Sequence, residues 1–518
     1  MSRTSNVLRN LKFASLNYVV QLIMKFVIRT AIIYLLGKEY LGLNGLFSNI
    51  LGVLNLAELG IGGAIVYSMY QPIAENNIEE VKALNNLYKK LYYIIAGIIL
   101  VLGLAIMPFL DVLINSNETL DINYYVLYLI FLLNTVISYF AGHKRSLLLA
   151  YQRKDIEYKI QSVFLFISNI VQCAILLIFR NYYLYIVSMP IFTLLEMIVI
   201  IRAAHKHYPQ IRGKAQPISP ETKKEITKNI GAMSVHKIGD VLVNSTDNII
   251  ISAFLGLSIV GVYSNYLLIT STLLSLIAII LNSLNGSVGN LVATADSEYV
   301  YKKYKDFNFV FIWIGGFCSI CLYCLFQDFI LIWTNDASYL IDNVSVLLIS
   351  LNFYLTTTRY MNNMFKNVKG LMWHDRWKAI VRSIINIIVS LLLVDKFGLL
   401  GVIIGTVVSL VLCSLWVEPY VVYKHYFKKS FAKYLLRYAF YLVVTLFAGV
   451  ITIAVTSFVN GTTFGGFILK GVICLFVTNI IFLLAYFWTA EFKNNLKTAK
   501  NIALKIFKKE RKNTQPEN

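Results

Sequence analysis

The sequence predicts an all-α polytopic membrane protein of about fourteen transmembrane helices, built as two six-helix bundles related by an internal repeat and followed by two further helices. Three observations predict it. The 518 residues are 58% hydrophobic and only 14% charged, against about 45–50% and about 25% in a soluble domain. The apolar residues fall in runs long enough to span a bilayer. The basic residues that give the net charge of +20 fall on alternate connectors between those runs. This composition excludes a soluble enzyme, a disordered tail protein and a nucleic-acid binder with a basic globular face, so no nucleic-acid partner is expected.

A spanning helix needs roughly 20 predominantly apolar residues. Fourteen such stretches lie near 13–36, 41–70, 91–114, 122–142, 160–179, 183–201, 229–254, 260–289, 307–334, 343–363, 379–394, 399–423, 438–458 and 466–489, and are numbered spans 1 to 14 below. The first is about 24 residues long, carries two cations and lacks a small-residue cleavage pattern, so it reads as a span and not as a signal peptide. The connectors are short, and an even number of spans puts both termini on one side.

Charge sets the orientation. The connectors on the side of the N-terminus, together with the two termini and the adjoining ends of spans 10 and 11 (Arg359 and Arg382), hold 40 of the 47 Lys and Arg residues, and the opposite loops hold only Lys38, Arg180 and Lys396. Cytoplasmic loops collect cations in this way, which predicts cytoplasmic N- and C-termini. Four cations remain at membrane depth: Lys25, Arg29, Lys237 and Lys470. Lys470 lies near the outer end of the last span and reads as a side chain reaching for the interface.

The repeat is visible in LLGKEYLGL at 35–43 and FLGLSIVGV at 254–262, offset by 219 residues. Gly37 matches Gly256 and Gly42 matches Gly261, at the turns joining spans 1 to 2 and 7 to 8. Both turns need the tight backbone that glycine allows. The expected organisation is an N-terminal bundle at 1–205, a basic cytoplasmic linker at 206–228, a second bundle at 229–430, two additional spans at 431–489 and a basic tail at 490–518. Two halves of like orientation would be related by an axis along the membrane normal, as in alternating-access transporters.

A charge at membrane depth costs about 2.5–3.5 kcal/mol on insertion scales and usually faces a wet cavity. Span 1 carries Gln21, Lys25 and Arg29 one turn apart. Span 7 carries His236, Lys237, Asp240, Asn244 and Asp247. Span 2 carries Asn44, Ser48, Asn55 and Glu58, and span 10 carries Asn352, Thr356, Arg359 and Asn363. Isolated Ser, Thr and Asn read as glue between helices. Lys25 and Arg29 read as functional, because neighbouring cations repel unless an anion neutralises them. Glu58 and Asp247 are open between pairing and function, as is His236 between proton coupling and packing. Arg359 reads as reaching the interface, and Glu196 and Glu418, towards the cytoplasmic ends, carry little weight. Cys318, Cys321 and Cys324 share a helical face without a nearby His or Asp, so they read as packing and no metal is expected. No G-x-x-x-x-G-K-[ST] loop is present, and no cofactor is expected.

AELGIGGAI at 57–65, STDNIIISAFLGLSIVGVYSNY at 245–266 and GLMWHDRWKAIVRSIINIIVSLLLVDKFGLLGVIIGT at 370–406 resemble, in their order, the polysaccharide repeat-unit flippases (Wzx-type) of the multidrug/oligosaccharidyl-lipid/polysaccharide (MOP) exporter superfamily. The resemblance covers essentially the whole chain. It implies a non-enzymatic transporter that moves an undecaprenyl-pyrophosphate-linked oligosaccharide from the inner to the outer leaflet of the bacterial cytoplasmic membrane, by alternating access, for capsular or exopolysaccharide synthesis. Lys25, Arg29 and Lys237 would meet the diphosphate, and polar groups on spans 2, 7 and 10 the sugars. Glu58, Asp240 and Asp247 are the candidates for coupling to H⁺ or Na⁺, with uniport left open. Membrane lipids are the expected surroundings, and the expected form is a monomer, with polysaccharide assembly proteins as candidate partners. A peptidoglycan-precursor flippase and a drug or metabolite exporter of the same superfamily are the alternatives.

Overall fold

A computed structural model of the chain describes residues 3–58, 61–114, 122–213, 218, 226 and 245–513. Among these, every regular element is helical, and twelve helices are long and apolar enough to cross a membrane, from Lys12–Leu35 to Phe464–Tyr486. Two expected spans are not among the twelve. Of span 7, residues 245–255 are described, and they are helical. Span 10 is two helices, Asn343–Thr358 and Tyr360–Val368, meeting at Arg359, each too short to cross alone. The described residues therefore carry helix at each of the fourteen expected places, and the chain is a polytopic helical membrane protein.

Span 2 differs from the continuous helix expected over 41–70. Its helix Lys38–Leu54 tightens into a 3₁₀ turn at Asn55–Glu58, and a second helix runs from Ile61 to Ala74. Hydrogen bonds from neighbouring tyrosines hold the turn: Tyr139 Oη donates to Asn55 Oδ1 at 2.8 Å, and Tyr92 Oη to Glu58 Oε1 at 2.5 Å. At membrane depth irregular backbone is tolerated only where protein covers it or it lines a wet cavity, and these bonds set the turn against spans 3 and 4.

The offset of 219 residues runs through much of the fold. Helices start at Lys38 and Leu257, at Ile78 and Ser297, and at Tyr124 and Asn343. Two of these pairs share the capping device that starts them. The side chains of Asn77 and Asp296 accept from the backbone N–H groups of Glu80 and Glu298, and those of Asn123 and Asp342 from Val126 and Ser345. Such a cap is worth about 1 kcal/mol. The break in span 10 repeats one in span 4, where Tyr124–Phe140 gives way to Gly142–Ala150. The break in span 2 has no counterpart, since Leu257–Thr294 runs through.

The chain divides into two compact units, Met1–Asn265 with Ala379–Gly405, and Tyr266–Lys378 with Thr406–Asn518. In the first, Gly37 and Gly256 end their helices at positive φ, 110° and 88°, and the following helices cross in backbone contact. A Cβ added at Gly42 would lie 2.0 Å from the carbonyl oxygen of Leu257, and one at Gly261 would lie 1.9 Å from that of Lys38. Residues 245–255 pack in the same unit, with Ser252 Oγ donating to Leu113 O at 2.6 Å and Thr246 Oγ1 to Asn386 Oδ1 at 3.2 Å.

In the second unit, spans 13 and 14 close on span 9 (Ser297–Thr334). Phe309, Ile312 and Ile320 of span 9 form one buried cluster with Tyr441, Val444, Ala448, Phe482 and Tyr486. Lipid tails are as apolar as these side chains, so cohesion comes from close packing and polar contacts and not from water exclusion. Trp313 Nε1 donates to Asn479 Oδ1 at 2.8 Å. Lys470 does not reach for the interface as expected: its Nζ pairs with Asp328 at 2.7 Å, which satisfies both charges within the protein.

Candidate functional site

Span 1 builds the site. Asn17, Gln21, Lys25 and Arg29 stand one turn apart on one helix face. Asn17 Nδ2 donates to Ser162 Oγ at 3.0 Å on span 5, and Gln21 Nε2 donates to Asn17 Oδ1 at 2.5 Å. These bonds fix the face toward a cavity of about 450 Å³ within the first unit, lined by spans 1, 4, 5 and 6. Its polar lining includes Gln21 and Lys25 from span 1, Asn134 and Ser138 from span 4, Gln161 and Gln172 from span 5, and Thr193 from span 6. Met24, Phe164, Met189 and Phe192 supply apolar wall. On the lining, Arg145 Nη2 pairs with Glu196 Oε1 at 2.8 Å, and Thr193 Oγ1 donates to Asn134 Oδ1 at 2.7 Å.

Lys25 is the unbalanced charge of this cavity. It is exposed, and its ammonium makes no ion pair among the described residues, whereas Glu196 is already engaged by Arg145. The lining thus combines one available cation with amides and hydroxyls that can both donate and accept. That combination suits an anionic, hydroxyl-rich group.

Arg29 has different surroundings. Its Nε donates to Asn265 Oδ1 at 2.5 Å, and its Nη2 donates to Ser264 Oγ and, at 3.5 Å, to Gly261 O. The guanidinium fork spans the start of span 8, beside the glycine crossing. The structure therefore separates the neighbouring cations: Lys25 faces the cavity, and Arg29 ties span 1 to span 8. Asn248 holds the place equivalent to Arg29 in the repeat, with its Nδ2 3.9 Å from a Cβ built at Gly45. Among the described residues, Asn248 Oδ1 and Asn265 Nδ2 are buried without a hydrogen-bond partner.

Glu58 ends a relay that begins at Ser146, whose Oγ donates to Tyr88 Oη at 3.0 Å. Tyr88 Oη then donates to Tyr92 Oη at 2.8 Å, and Tyr92 to Glu58. Asp247 is buried. Lys237, His236, Asp240 and Asn244 lie outside the described residues.

The second unit holds Asn352 and Arg359. Among the described residues, Asn352 Oδ1 is buried without a hydrogen-bond partner. Arg359 does not reach for the interface: Nε and Nη2 grip both oxygens of Glu418, at 3.1 and 2.7 Å. Lys378 donates to Glu418 at 2.5 Å and to Asp375 at 2.9 Å, and Lys366 donates to Asp375 at 2.5 Å. Glu418, expected to carry little weight, is thus the centre of a five-residue network, its own side chain 1% exposed. Glu196 likewise joins spans 4 and 6 through Arg145, as Glu418 joins spans 10 and 12. Nothing local in the sequence gives weight to either carboxylate, since the partners Arg145 and Arg359 lie 51 and 59 residues away. The amide lining also went unread, although Asn17 stands one turn before Gln21 and Gln161, Asn169 and Gln172 interrupt an apolar span.

No family model matches the chain, and no curated protein does. Solved structures do. An inward-facing multidrug resistance MATE family transporter of the MOP superfamily aligns at a TM-score of 0.62 and 17% identity, covering 77% of this chain and 94% of its own. The lipid II flippase MurJ, in an inward closed conformation, aligns at 0.60 and 16% identity, covering 92% of this chain and 99% of its own. The Vibrio cholerae MATE transporter VcmN, in a mutant form, aligns at 0.58 and 16% identity, covering 83% and 98%. These neighbours are transporters and a flippase, and what this chain shares with them is their fold.

Proposed function

We propose that the protein is a flippase for a diphosphate-linked lipid oligosaccharide, carrying a glycan repeat unit from the inner to the outer leaflet of a bacterial cytoplasmic membrane, with both termini cytoplasmic. The observation that carries this reading is Lys25, a cation without an ion-pair partner among the described residues, in an amide-rich cavity. A lipid diphosphate neutralises such a cation through charge-assisted hydrogen bonds, and the amides suit sugar hydroxyls. Arg29 and Lys237 are the further diphosphate ligands in this reading. Glu58, His236, Asp240 and Asp247 are the groups through which H⁺ or Na⁺ coupling would run.

Coverage favours a lipid-linked cargo over a drug. The lipid II flippase covers 92% of the chain and the two MATE transporters 77% and 83%. The excess over the larger of these is roughly the length of two spanning helices. The same coverage supports a second reading, a peptidoglycan-precursor flippase. Proteoliposomes separate the readings. Fluorescent polyprenyl-diphosphate oligosaccharide, polyprenyl-diphosphate disaccharide–peptide and a cationic drug are each offered, and inward and outward pools are resolved by an impermeant modifying reagent. Protein-dependent movement of the oligosaccharide lipid is expected. Movement of the drug alone would overturn the proposal.

A further inference from the structure

The helix Ala490–Asn513 follows span 14 after a break of three residues. Its sequence holds eight Lys or Arg residues against Glu491 and Glu510. At helical spacing, Phe492, Leu496, Ala499, Ala503 and Ile506 fall on one face, and Lys497, Lys505, Lys508 and Lys512 fall on the opposite one. Among the described residues, the contacts that hold this helix to the rest of the chain lie in its first turns. Phe492 stacks on Trp313 with ring centroids 6.1 Å apart, and Asn494 and Asn495 donate to Asp306 at 3.1 and 3.0 Å. Beyond them, Leu496 and Leu504 are 43% and 59% exposed, and Lys497 and Lys500 are exposed as well.

We infer that this helix is a binding element for anionic phospholipid, lying in the interface of the leaflet next to which span 14 ends. An apolar stripe opposite a basic face is the arrangement of helices that lie in the headgroup plane, with the stripe among the acyl chains and the cations on anionic headgroups. The place fits the occupant, because a helix that starts beside the end of a spanning segment and stays anchored to span 9 cannot move far from the bilayer. The charge fits it too, with a basic excess spread along the helix facing a surface of negative potential. This is independent of the transported substrate and needs no particular cargo.

The test is hydrogen–deuterium exchange of the full-length protein in nanodiscs, followed on peptides covering 496–513. Discs of phosphatidylcholine alone are compared with discs containing phosphatidylglycerol. Exchange at least tenfold slower in the anionic discs is expected, with the difference removed by high salt and by the variant K497Q/K500Q/K508Q/K509Q. A second variant, L496E/I506E, keeps the cations and is expected to lose the protection as well. Equal exchange in the two discs would overturn the inference, as would protection that the lysine variant retains. Protection appearing only when a soluble acidic protein is added would overturn it equally, by assigning the helix to a protein partner.

Discussion

Gly42 and Gly261 hold equivalent places on two crossing helices, each against the backbone from which the other's helix starts. Gly42 meets the carbonyl of Leu257, and Gly261 meets that of Lys38. The two contacts exchange under the 219-residue offset, as expected for a local two-fold relation. Arg29 lies beside this crossing, on Gly261, Ser264 and Asn265, and the equivalent place holds Asn248. The charge there belongs to one half of the repeat only.

Adding a methyl at either glycine should therefore do similar damage. Gly42→Ala and Gly261→Ala would each force backbones apart, and overpacking of this kind costs typically about 1–3 kcal/mol. Gly97, whose Cβ would meet nothing within 4 Å, is the control. Thermal unfolding in detergent should fall by several degrees for both crossing variants and hold or rise for Gly97→Ala, since alanine is the better helix former.

The network around Glu418 predicts a rank order. Arg359 and Lys378 both donate to Glu418, so its loss strands Arg359 and leaves Lys378 with Asp375, whereas Glu418 keeps Lys378 when Arg359 is lost. Removing one side of a buried pair costs about 3–5 kcal/mol. Glu418→Gln should lower the melting temperature more than Arg359→Gln, and the double variant should be less destabilised than the sum of the two. Equal effects that simply add would contradict the shared network.

The two cations of span 1 should respond differently to conservative exchange. Arg29 uses separate nitrogens of its fork on Asn265 and Ser264, which a lysine cannot reproduce. Arg29→Lys should behave nearly as Arg29→Ala in thermal stability. Lys25, which supplies charge to an open cavity, should tolerate Lys25→Arg and fail as Lys25→Gln in a transport assay, with melting unchanged in both.

Much of the fold was legible because the bilayer imposes a length. Runs of about 20 apolar residues mark spans whatever the tertiary structure, and helix is found at all fourteen expected places. The breaks at Asn55–Glu58 and Arg359 escaped notice because hydropathy measures polarity and not backbone course. Tyr92, Tyr139 and Glu418 bond the side chains at those breaks from other spans. The nine-residue repeat was seen, but the caps Asn77 and Asp296, or Asn123 and Asp342, would have extended it. In the site, the stripe Gln21–Lys25–Arg29 stood out because buried charge is costly. That Lys25 and Arg29 look to different surroundings did not, since a helical wheel gives a direction and not a neighbour. Arg145 with Glu196 joins residues on separate spans, and no local pattern announces such a pair.

The most direct test is flipping of a polyprenyl-diphosphate oligosaccharide in proteoliposomes by the Lys25→Ala/Arg29→Ala variant, reconstituted at the same density as the parent protein and with its helical content confirmed. At least a tenfold loss of protein-dependent flipping is expected. Flipping at the parent rate would contradict the proposal.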